Sequence, residues 1–169
     1  IYKDIIDRYS IKNTRIIKWL INYLTSSIAK EVSLNKVYRN LKSSGIKLSK
    51  NTLYEYFSML EDSFFIFPIR KFERSSKKEG LSIPKVYLGD VGFLNLFSIE
   101  DYGKRMENII FLELLRRTSN DPLAEIHYWK SLDGKEVDFI IANSQRPSDD
   151  ILERYRKEGA DLVVLDLEN

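Results

Sequence analysis

Three apolar stretches at helical spacing follow one another between residues 13 and 62, each opened by a side chain able to cap it. Asn13 or Thr14 precedes Ile16, Ile17, Leu20, Leu24 and Ile28, with Trp19 and Tyr23 beside them. Ser33 opens a second stretch with Leu34, Val37, Tyr38 and Leu41 on one face, and Gly45 stands where a left-handed C-terminal cap belongs. Ser49 opens a third, with Leu53, Tyr56, Phe57 and Leu60 inward and Lys50, Asn51, Tyr54, Glu55 and Ser58 outward. A helix, a short turn and a second helix make a helix-turn-helix. In that motif the outward residues at the start of the second helix face the major groove of DNA, here Lys50, Asn51 and Tyr54.

The residues that follow predict a wing. Phe64 to Phe72 is rich in aromatic and β-branched side chains, Ile83 to Leu88 is a second short run, and the basic stretch Arg74 to Gly80 lies between them as a loop. Pro68 and Pro84 lack an amide donor and need edge positions or strand starts, which a small sheet provides. Arg70, Lys71, Arg74, Lys77 and Lys78 could each neutralise a phosphate, a contact that positions a protein on DNA without reading sequence. The competing reading is a winged helix that binds protein and no nucleic acid. Phe64 to Phe67 is expected in the core.

Charge divides the chain at Gly80. The first eighty residues hold 16 Lys and Arg against 8 Asp and Glu, and the rest hold 11 against 17, which together give the net +2. A basic half joined to an acidic half suits a nucleic-acid-binding module followed by a carboxylate-bearing one, although uneven solubilising charge would look the same.

In the acidic half, Gly103 to Thr118 is a helical stretch that places Glu107 on the face of Ile110, Phe111 and Leu114. A carboxylate there is costly unless it is paired, caps a backbone group or binds a cation. Ile126 to Trp129 reads as a strand, Asp133-Gly134 as a hairpin turn, and Glu136 to Ile141 as the returning strand. Side chains alternate along a strand, so Glu136 and Asp138 share one face while Val137 and Phe139 take the other. Two like charges so placed repel unless a cation or base lies between them. Mg²⁺ suits such a site, being held by one or two carboxylates together with waters and phosphate oxygens. The structural alternative is an exposed edge strand neutralised by Lys130 or Lys135.

Other chemistries are excluded by composition. Without Cys there is no disulfide framework and no thiolate metal site, and with one His a zinc site would need carboxylates as its other ligands. His127, flanked by aromatics in a strand, reads as a packed residue. No phosphate-binding G-x-x-x-x-G-K-[ST] loop occurs, nor any Ser/His/Asp or Cys/His set. Lys18 and Asn22 interrupt the longest apolar run, Ile16 to Leu24, so no membrane span is expected, and a soluble, cytoplasmic protein is the default. The chain begins at Ile1, as a piece of a longer polypeptide would.

Several segments together resemble the uncharacterised C-terminal region that follows the nucleotide-binding module of many archaeal and bacterial AAA+ family ATPases. They are Tyr2 to Ile6, Leu48 to Phe57 with Leu60 to Asp62, Pro84 to Asp90, Gly103 to Asn108, and Tyr128 to Lys130 with Gly134 to Phe139. The resemblance implies a winged helix joined to a domain of the restriction-endonuclease type, with ATP bound only by a module that precedes this segment. Nucleases of that type hold metal with an acidic residue on the first helix, an Asp on the second core strand and an E-x-K on the third. Glu107 and Asp138 match the first two as catalytic and metal-holding residues, and Glu136 stands beside them. The third is not matched, since the last strand, expected at 160–167 after a helix at 149–158, ends in Asp166-Leu-Glu168. Either catalysis is lost or residues are omitted after Asn143.

The expectation is thus an α+β chain. Residues 1–90 form a winged helix that binds double-stranded DNA, and residues 91–169 form a nuclease-like domain, incomplete if residues are missing, with Mg²⁺ on Glu107, Glu136 and Asp138. The alternative is an inactive module that serves protein contacts or homo-oligomerisation of the ATPase.

Overall fold

The computed structural model describes residues 2–9, 11, 13–73, 75–97, 100–121, 124–131, 133–142 and 162–165, the last as backbone. The fold is mixed α and β. Its elements run α1 (Tyr2–Tyr9), α2 (Thr14–Ser26), β1 (Lys30–Glu31), α3 (Leu34–Ser43), α4 (Lys50–Asp62), β2 (Ile66–Ile69) and α5 (Ser76–Leu81). There follow β3 (Lys85–Leu88), α6 (Gly92–Leu96), α7 (Tyr102–Thr118), β4 (Glu125–Lys130), β5 (Glu136–Ala142) and β6 (Leu162–Leu165). The chain divides into two compact units interleaved in sequence. One holds Ile1–Pro68 and Val86–Asn108, the other Ile69–Lys85 and Ile109–Asn169.

In the first unit the capping side chains place the helices. Asn13 Oδ1 accepts from Ile16 N, Ser33 Oγ from Lys36 N and Ser49 Oγ from Thr52 N, each meeting an amide that the first helical turn leaves without a partner. Helix α3 ends as its glycine requires: Gly45 has φ +76°, its N–H donates to Lys42 O, and Ile46 N donates to Leu41 O. The apolar sides of α2 and α4 close on a core that includes Ile17, Leu20, Leu24, Leu53 and Leu60, all fully buried. Burial of side chains this size contributes about 1.5–3 kcal/mol each.

Helix α4 ends by the same motif with the wrong residue for it. Phe64 takes φ 56°, its N–H donates to Glu61 O, and Phe65 N donates to Leu60 O. That left-handed step sends the Phe64 ring outward, 71% exposed, whereas the sequence places it in the core; Phe65 and Ile66 are buried as expected. The sheet of this region has the order β1-β3-β2. Gly89 N donates to Phe65 O, and a Cβ at Gly89 would fall on the carbonyl oxygen of Phe64, so only glycine lets the chain pass there.

The expected wing differs in two ways. The strand over 64–72 stops at Ile69, and the backbone of 70–72 instead runs along β4: Tyr128 N donates to Arg70 O, and Phe72 N to Tyr128 O. Burial of Phe72 and Tyr128 explains that pairing. The basic stretch expected as an open loop contains α5, because Ser75 stands at the N-cap position and Lys77, Lys78 and Glu79 are good helix formers.

In the second unit, the sheet order is β4-β5-β6. Strands β4 and β5 are antiparallel around the turn at Gly134, φ 86°, and β6 lies parallel to β5. Strand β5 is therefore central, not the edge strand of the structural alternative. Val137 and Phe139 are buried, while Glu136 and Asp138 are half-buried. The helix expected at 149–158 and the Asp166-Leu-Glu168 end lie outside the described residues, and β6 occupies part of the strand expected over 160–167.

Candidate functional site

Two groups of side chains bear on function, and the residues of each are divided between the two units. The first is the surface of the three helices. Lys50, Asn51 and Tyr54 are all exposed on α4, with Leu53, Tyr56, Phe57 and Leu60 holding the opposite face inward. Lys50 Nζ lies 5.5 Å from the Tyr54 ring centroid, and Tyr54 OH donates to Asn35 Oδ1 at 3.4 Å. Residues 12–50 contain nine Lys and Arg and a single acidic residue, Glu31. Arg15, Lys18, Lys36, Arg39, Lys42 and Lys47 are all exposed.

The basic residues beyond β2 are in the second unit. Arg70 Nη1 donates to Ser82 O at 2.9 Å, and Lys71 Nζ pairs with Glu73 at 3.1 Å, so both already have protein partners. Lys77 and Lys78 are exposed on α5, and neither has an ion pair among the described residues. Arg74 lies outside the described residues.

The second group comprises the carboxylates. On α7, Glu107 is half-buried and accepts from the hydroxyl of the buried Tyr87 at 2.7 Å. Its neighbour Asn108, 0% exposed, closes the end of β3: Leu88 N donates to Asn108 Oδ1 at 2.7 Å and Asn108 Nδ2 donates to Leu88 O at 3.0 Å. Both belong to the first unit. In the second unit, Glu136 and Asp138 share the ammonium of Lys85, which lies 2.5 Å from Glu136 Oε1 and 2.8 Å from Asp138 Oδ1. Lys85 is only 4% exposed, and its Nζ also lies 5.8 Å from the centroid of Tyr128, whose hydroxyl donates to Ile83 O. Lys130 is a more distant partner of Glu136 at 3.7 Å, and Lys135 pairs with Asp133 instead.

The like-charged pair on β5 thus has its cation, and the protein supplies it. A Mg²⁺ bound to the same two oxygens would sit against the Lys85 ammonium, so as arranged these residues do not fit that ion. Sequence reasoning missed Lys85 and Asn108. The signal for the first was a lysine embedded in Pro84-Lys85-Val86-Tyr87-Leu88, a strand that is buried at every position. The signal for the second was an amide in the apolar part of α7.

These features define an α+β protein with a basic helical face and a neutralised carboxylate pair on a central strand. Residues 1–102 match the family model described as "Domain of unknown function (DUF8612)", and the chain belongs to that family. Residues 102–148 match a second model, "Domain of unknown function (DUF4143)". The chain is 35% identical over 145 residues to an uncharacterized protein of Methanocaldococcus jannaschii, a match covering 83% of this chain and 31% of that protein. It is 30% identical over 156 residues to an uncharacterized protein of Haemophilus influenzae, covering 90% of this chain and 36% of that one. A 35-residue stretch, 21% of the chain, is 54% identical to a part, 11%, of a putative gluconeogenesis factor of Thermotoga maritima. The chain therefore spans about a third of the length of the first two relatives. No solved structure matches it. Among the described residues, no helix is long and apolar enough to cross a membrane.

Proposed function

We propose that this chain is the DNA-engaging C-terminal region of an AAA+ type ATPase, in which the helical part acts as a winged helix on duplex DNA. The observation that carries the reading is the exposed Lys50, Asn51 and Tyr54 at the start of α4, on a segment where nine basic residues meet one acid. The order α2, β1, α3, α4, β2, α5, β3, with β3 between β1 and β2 in the sheet, supports the same reading, α5 being an insertion in the wing. Lys77 and Lys78, exposed on the connection between β2 and β3, are then phosphate contacts of an elaborated wing.

The test is binding of duplex DNA across a salt series. The logarithm of the affinity should fall with log salt at about −0.9 per phosphate neutralised. Lys50→Glu should abolish binding, and Lys77→Ala with Lys78→Ala should make the slope shallower by about 2. Unchanged affinity in Lys50→Glu would remove α4 from the DNA interface.

Lys85 favours a second reading for the other domain, as a restriction-endonuclease-like scaffold that has lost catalysis and serves contacts within the ATPase or with protein partners. A duplex incubated with the chain and millimolar Mg²⁺ or Mn²⁺ should stay intact. Cleavage abolished by Asp138→Asn would restore the hydrolytic role for the β5 carboxylates Glu136 and Asp138.

A further inference from the structure

The one histidine of this chain takes part in a second cluster of ligating groups, away from the pair held by Lys85. His127 lies on β4, 5% exposed, with its ring edge-to-face with Phe72 at 5.6 Å and 81°. Its Nε2 is 3.1 Å from Glu125 Oε2, two residues away on the same strand, while its Nδ1 is buried and has no hydrogen-bond partner among the described residues. The carboxylate of Glu79, half-buried on α5, completes the group, and one ligand atom from each of the three lies within 4.8 Å of the others. All three residues belong to the same compact unit.

From this arrangement we infer that Glu79, Glu125 and His127 bind a borderline divalent cation, Zn²⁺ being the best match. Imidazole nitrogen and carboxylate oxygen coordinate Zn²⁺ at about 2.0–2.2 Å, which puts neighbouring ligand atoms of a tetrahedral site about 3.3 Å apart. The 3.1 Å between His127 and Glu125 already is such an edge, and Glu79 needs to close by no more than about 1.5 Å to complete a face. The burial of His127 keeps water from competing for the ring. A carboxylate can only accept, so the contact with Glu125 puts the ring proton on Nε2 in the metal-free chain, and a cation bound there takes its place.

Three protein ligands with an open fourth position make the ligand set of a site that can still accept water or a substrate atom.

The experiment is a titration of the 169-residue chain with Zn²⁺ against a chromophoric chelator, repeated with Co²⁺ read by its visible absorption. One equivalent should bind, and the Co²⁺ spectrum should show tetrahedral bands with a single nitrogen donor, since the chain has one His and no Cys. His127→Gln should weaken binding by about 100-fold or more. Glu125→Gln, on the exposed rim and so unable to disturb the core, should weaken it by about 10-fold or more. Failure of the wild-type chain to bind at millimolar Zn²⁺, or binding that survives Glu125→Gln but is lost in Asp138→Asn, would overturn the assignment. The outcome is independent of DNA binding, so it stands or falls apart from the winged-helix reading.

Discussion

Removing the Lys85 ammonium tests how the second unit tolerates two acids on its central strand. In Lys85→Met the side chain keeps most of its length and loses its charge, leaving Glu136 and Asp138, each with an oxygen within 2.8 Å of the lost ammonium and so at most about 5 Å apart, with no buried cation between them. At an effective dielectric of about 20, their mutual repulsion alone is at least about 3 kcal/mol. Removing one partner of a fully buried pair costs about 3–5 kcal/mol. The two carboxylate side chains here retain 28% and 38% exposure, so solvent screens part of this, and the expected loss is about 2–3 kcal/mol. Urea unfolding at pH 7 measures it, as a lower midpoint with an unchanged slope. Adding Glu136→Gln and Asp138→Asn to Lys85→Met should restore more than half of the loss, because neutral amides no longer need the cation. A loss below about 0.5 kcal/mol, or no recovery in the triple variant, would show that Lys85 does not hold the pair together.

Two further outcomes follow from the local geometry. Gly89→Ala drives a methyl group into the Phe64 carbonyl at the end of α4 and should lower stability by about 1–3 kcal/mol in thermal or urea unfolding; a neutral result would refute the close approach. Arg116 and Arg117 both donate to Glu113 and hold its carboxyl down to about 2, so this group contributes stability that is full above its ordinary value of 4.5 and is lost as pH falls toward 2. A carbon-detected NMR titration should place Glu113 near 2, and Arg116→Ala with Arg117→Ala should return it toward 4.5.

Much of the first unit was legible because its signals are local. Ser33, Gly45 and Ser49 act within three residues of themselves, and the buried face of α4 repeats with the helical period, so Leu53, Tyr56, Phe57 and Leu60 could be read directly. The hairpin around Gly134 and the alternation of Glu136 and Asp138 against Val137 and Phe139 were legible for the same reason. What could not be read came from groups far apart along the chain. Lys85 is 53 residues from Asp138, and no periodicity links them. The nearer lysines, 130 and 135, looked sufficient to neutralise the pair. Asn108 reaches back 20 residues to Leu88. His127 was read as a packed residue, which its burial bears out, but its carboxylate neighbour Glu79 lies on a helix that the sequence presented as a loop. Phe64 was misplaced because its aromatic neighbours suggest a core, whereas its backbone conformation turns it out.

The interleaving of the two units governs how this protein can be taken apart. The family models meet at residue 102, an inviting place to sever the gene, yet a break anywhere from 86 to 108 leaves Lys85 on one fragment and both of its acids on the other. Fragments made that way should be recovered insoluble when expressed alone, and two-plasmid complementation, rather than simple truncation, is the route to studying either piece.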